Sequence, residues 1–74
     1  MNKQRRKLLE KACGFIGEAL SIIEDVKEDE ENAFYNMPDG LQNSERGEQI
    51  EENINNLEDI IGNLEEACGY IEEM

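Results

Sequence analysis

Histidine and tryptophan are absent from these 74 residues, proline occurs once, and cysteine twice. Without histidine the chain lacks the usual general base near neutral pH and the commonest metal ligand. Two cysteines alone complete neither a structural zinc site nor a disulfide framework. No metal or other cofactor is expected, and no reaction: the sequence reads as non-enzymatic. Apolar runs all fall far short of the ~20 residues a membrane span needs. The basic start (Lys3, Arg5, Arg6, Lys7) leads into an amphipathic pattern rather than a continuous apolar segment, so no secretory leader and no membrane partner are expected. Bases are few, 7 against 19 acids, for a net charge of −12. Such a chain repels phosphate, so direct nucleic-acid binding is not expected and any partner should be basic. The expected compartment is the cytoplasm, with reduced thiols.

The sequence does contain a ten-residue segment that occurs twice. Leu9-Glu-Lys-Ala-Cys-Gly-Phe-Ile-Gly-Glu18 returns as Leu64-Glu-Glu-Ala-Cys-Gly-Tyr-Ile-Glu-Glu73. Around the first copy, Leu8, Ala12, Phe15, Ala19, Ile22 and Val26 alternate in steps of four and three, a helical seam. Leu9, Cys13, Ile16, Leu20 and Ile23 make a second seam one residue round. Around the second copy, Ile50, Ile54, Leu57, Ile61, Leu64, Cys68 and Ile71 keep the same rhythm, widened on one flank by Ile60, Ala67 and Met74. The reading is one all-α domain over residues 1–74, with a helix over about 3–35, a turn over about 36–44 and a helix over about 45–73. Pro38 disfavours helical geometry at Met37, and Asp39-Gly40 is a turn signal. Ser44 is placed as an N-cap, with Glu45 and Glu48 suited to the positive helix start.

A short connection makes the two helices an antiparallel hairpin. Facing positions then sum to about 81 along two antiparallel rods, and Cys13 faces Cys68. Lys3, Arg5, Arg6, Lys7 and Lys11 should fall opposite Glu65, Glu66, Glu72 and Glu73. One partner helix cannot cover two adjacent seams. The expected assembly is therefore a homodimer, two hairpins forming a four-helix bundle. Gly14, Gly62 and Gly69 fit either close backbone approach or mildly destabilising exposed positions.

Three groups of residues are candidates for function. The cysteines would be a redox pair or small core residues; their acidic, histidine-free surroundings favour the core. The acids Glu24, Asp25, Glu28, Asp29, Glu30 and Glu31 match no calcium loop. They crowd the end of the first helix, where the dipole disfavours them, and repel Glu45, Glu48, Glu51 and Glu52 across the turn. Residues 24–59 carry thirteen acids and two bases, whereas residues 1–23 carry five bases and two acids. The turn adds Phe34, Tyr35, Met37, Asp39 and Leu41. Phe34 and Leu41 read as a small core closing the turn, Tyr35 and Met37 as apolar anchors for a partner.

The segment Asp29-Glu-Glu-Asn-Ala-Phe-Tyr-Asn-Met-Pro-Asp-Gly-Leu-Gln-Asn-Ser-Glu-Arg-Gly-Glu48 resembles small acidic helical-hairpin proteins of phages and mobile elements of Gram-positive bacteria. The likeness runs over about residues 28–73. It implies a mobile-element origin and a hairpin shape, and no reaction. The leading expectation is an interaction protein, in its sharpest form a DNA-mimic inhibitor of a host or defence protein in the host cytoplasm. Its contacts would be Glu24, Asp25, Glu28, Asp29, Glu30, Glu31, Asp39, Glu48, Glu51 and Glu52 for charge, with Tyr35 and Met37. The alternatives are a sponge for a nucleotide signal, held by Lys3, Arg5, Arg6 and Lys7, and a purely structural dimerisation module.

Overall fold

No proline interrupts the span from Lys3 to Tyr35, and in a computed structural model, which describes residues 1–74, that span is one helix, α1. Asn2 caps it, its side-chain oxygen accepting the Arg5 backbone N–H at 2.8 Å. This cap satisfies one of the donors that a helix start leaves open. The other end tightens before Pro38: the Asn36 N–H bonds back to the Asn32 carbonyl at 3.0 Å, and that of Met37 to Phe34 at 3.1 Å.

The expected turn is not wholly irregular. Asp39–Gln42 forms a single helical turn, α2, closed by the Leu41 N–H on the Pro38 carbonyl at 2.8 Å. Pro38 enters it with φ fixed near the proline value, and Asp39 sits at its positive start. Glu45–Glu73 is α3. Ser44 caps it as the sequence suggested, accepting the Gly47 N–H at 3.3 Å. The Ser44 hydroxyl also donates to the Leu41 carbonyl, tying α2 to the start of α3.

The molecule is all helix, without strands, and measures 58 × 15 × 12 Å. A 33-residue helix is itself about 50 Å long, so the rod is one layer thick. Contacts between α1 and α3 come in reverse sequence order. Arg6 donates to the Met74 carbonyl at 2.7 Å, Cys13 and Cys68 touch, Lys27 pairs with Glu58 at 3.4 Å, and Asn53 donates to Glu30 at 3.2 Å.

The two seams of α1 separate cleanly. Leu9, Cys13, Ile16, Leu20 and Ile23 are half-buried, and the row continues through Lys27, Glu30 and Phe34. Opposite them Ile50, Ile54, Leu57, Ile61, Leu64, Cys68 and Ile71 are half-buried. The other α1 seam lies open: Leu8, Phe15, Ile22 and Val26 are between 45% and 65% exposed. No hydrophobic side chain in the chain is fully buried; Gly47 is the only buried residue. A layer this thin has no interior.

Candidate interaction surface

The acid-rich end is built by the last third of α1 and the first two turns of α3. Glu24, Asp25, Glu28 and Asp29 stand exposed on α1, Asp39 on α2, and Glu48, Glu51 and Glu52 on α3. Glu30 and Glu31 are half-buried and partly engaged. Glu30 accepts from Asn53, itself held by Gln49 at 3.1 Å, and Glu31 lies 3.9 Å from Lys27. Lys27 makes both ion pairs of the chain, to Glu31 and Glu58. One lysine therefore serves this crowded region, and most of its carboxylates face water.

The apolar residues near the turn are arranged differently from expectation. Tyr35 is 72% exposed, its ring meeting Phe34 edge-on with centroids 5.9 Å apart. Phe34 is half-buried beneath it, and its carbonyl accepts from Gln42 at 3.2 Å. Met37, expected to be open, is half-buried, whereas Leu41, expected to close a small core, is half exposed. The helical turn α2 causes the exchange, because it lifts Leu41 away from the α1–α3 seam.

The basic end makes none of the ion pairs expected from the register. Lys3, Arg5 and Lys7 are exposed, and Arg6 is committed to the Met74 carbonyl. Lys11 instead lies 5.9 Å from the centroid of the Phe15 ring, a cation–π contact. A cleft of about 300 Å³ lies here, and Glu10 and Glu72 share its wall with Arg6. Two carboxylates beside one guanidinium make a poor cradle for a phosphate.

Cys13 and Cys68 are adjacent, free and half-buried. The Sγ of each points to the backbone carbonyl of the other, at 3.9 and 3.8 Å. The Cys13 thiol is pushed up to about 11, first by its hydrogen bond to Cys68, then by lost hydration, then by the charges of Cys68 and Glu72. Such a thiol resists forming the thiolate that nucleophilic or redox chemistry requires.

Three features were not read from the sequence. Asn2 and its capping role were passed over, although Asn directly before an amphipathic run is a standard start signal. Lys27, the one base among six acids, carried a visible charge signal. Gly47 had no signal by spacing: a Cβ there would overlap the Gln42 carbonyl group. Around Gly14, Gly17 and Gly62 there is open space, so close backbone approach within the chain does not explain them.

No helix is long and apolar enough to cross a membrane, and no three acidic or cysteine side chains converge as a metal site would require. The chain matches no family model, no curated protein and no solved structure.

Proposed function

We propose that this is a non-enzymatic interaction protein of a phage or mobile element. It works as an antiparallel helical hairpin that joins a second copy in a four-helix bundle. Its acid-rich end docks on a basic protein surface, in the manner of a DNA mimic that inhibits a host or defence protein. The observation that carries this reading is the grouping of exposed carboxylates from α1 and α3 at one end of the rod, served by Lys27 alone. Self-repulsion of this kind costs stability, and a basic cleft relieves it through the electrostatics it uses for phosphates. The nucleotide-sponge alternative lacks a comparable support, since Arg6 is already bonded and Glu10 and Glu72 flank the cleft beside it.

The test is affinity capture from host lysate, followed by titration of the captured protein with duplex DNA in competition. The reading expects binding that weakens steeply with salt and is displaced by DNA. Capture that is insensitive to salt and unaffected by DNA would overturn it.

A further inference from the structure

The open seam of α1 is self-complementary about the level of residue 17. Read inward from its two ends, Leu8 matches Val26, Ala12 matches Ile22, and Phe15 matches Ala19. Two of these three matches set a large side chain against an alanine, as close packing between facing helices requires. One step further out, Arg5 matches Asp29. On the flanks Lys3 matches Glu31 and Arg6 matches Glu28, while Lys7 meets Lys27 and Glu10 meets Glu24. Lys3, Arg5, Arg6, Lys7 and Lys11 occupy one end of α1, and the acids of residues 24–31 the other. No intramolecular ion pair uses the five bases. Val26 and Ile60 line one shallow groove, so the flank of α3 continues the open face of α1.

We propose that a second copy of this chain covers this face, α1 lying antiparallel on α1, with the two-fold axis level with Gly17 and Arg5 of each chain paired with Asp29 of the other. This rests on the homodimer in the reading above and specifies its interface. Charge selects the arrangement. A chain of net charge −12 repels its own copy. A parallel pairing would set five bases beside five bases and the acid runs beside each other. Seating α3 of the second copy on α1 would set the acids of residues 24–31 on further acids, because Arg46 is the only base of α3. The antiparallel self-pairing places each basic end on an acidic one, twice by symmetry. The seam from Arg5 to Asp29 is about 36 Å long at the helical rise. The register also serves α3. Cys13 lies beside Cys68, so the axis crosses α3 near Leu64.

Sedimentation equilibrium on the wild type, Arg5→Asp, Asp29→Arg and the double variant tests the register. Arg5 and Asp29 are both exposed, so each variant should keep its helicity, which circular dichroism checks. The wild type should be a dimer. Each single substitution turns two attractive pairs into two repulsive ones and should weaken the dimer on the order of tenfold. The double variant should recover most of that loss. A second measurement uses thiol trapping with Cys13 and Cys68 replaced by alanine. Mixing Ala12→Cys with Ile22→Cys chains should give a cross-linked dimer, and either chain alone should not. A dimer in which the double variant is no tighter than the singles, or in which the mixture fails to cross-link, overturns the register and leaves the homodimer standing. A folded wild-type monomer at micromolar concentration overturns both. Neither result touches the docking of the acidic end, which the DNA competition measures separately.

Discussion

Cys13 and Cys68 hold each other's backbone: each Sγ lies within 4 Å of the other's carbonyl oxygen, joining the two copies of the repeated segment across α1 and α3. The pair marks the level at which the helices are locked in register. It also sets how the Cys13 thiol behaves.

Raising the Cys13 thiol to about 11 means that the folded chain holds its proton more tightly than the unfolded chain, whose thiol titrates near 9.0. The stabilising contribution is complete below about pH 9 and is lost as pH rises through about 11. Chemical denaturation between pH 8 and 11 should show this decline, and Cys13→Ala should flatten it. Alkylation of folded wild type at pH 8 should be slower than that of the urea-unfolded chain. Equal rates would show that the contact does not protect the thiol.

Gly47 and Gly62 should respond to alanine in opposite directions. A Cβ at Gly47 overlaps the Gln42 carbonyl group, so Gly47→Ala must push α2 away from the start of α3. The expected loss is about 1–3 kcal/mol. Gly62 has open space around its Cβ position, so Gly62→Ala should gain up to about 1 kcal/mol in helix propensity. Urea melts of both variants check the pair. A neutral Gly47→Ala would mean that α2 is not held against α3.

Neutralising Glu28, Glu48, Glu51 and Glu52 to glutamine should raise the melting temperature and weaken docking on a basic partner. All four are exposed, and none has an ion-pair partner. Removing them lowers the self-repulsion without touching the Arg5–Asp29 pairing. Thermal melts and binding titrations on one preparation decide the matter. Loss of stability with binding unchanged would count against the acidic end as the docking surface.

Glu18 lies beside the seam, one residue from the proposed axis, so antiparallel self-pairing brings it near Glu18 of the partner subunit. Glu18→Gln should tighten the dimer severalfold at low salt, with the gain shrinking as salt is added. Sedimentation at two ionic strengths measures it. An unchanged association constant would place the axis elsewhere.

Much of this architecture was legible because it is written locally. The four-three spacing of apolar residues, the Ser44 cap and the restriction at Met37 before Pro38 each act over one or two helical turns. They bounded α1 and α3 correctly. The repeat and the length of the connection set Cys13 level with Cys68. The candidate site was less legible. The exposed acids and Tyr35 lie where the charge and turn patterns put them, but Met37 and Leu41 exchange roles. Their burial depends on α2, a single turn of helix too short to leave a periodic signal.

The amino-acid sequence by itself determined that the chain is helical, where the helices begin and end, and that its charge is divided between a basic start and an acidic remainder. Those properties follow from backbone propensity and composition. The tertiary structure decided which of the two α1 seams packs on α3. The Leu8 and Leu9 rows have the same period and lie about 100° apart on the helix. Either satisfies the pattern, and only the placement of α3 separates them. It buries the Leu9 row, leaves Leu8, Phe15, Ile22 and Val26 in the open, and sends Arg6 to the Met74 carbonyl rather than to a glutamate. Packing of whole helices, which couples residues from 23 to 68 apart in the chain, makes that choice.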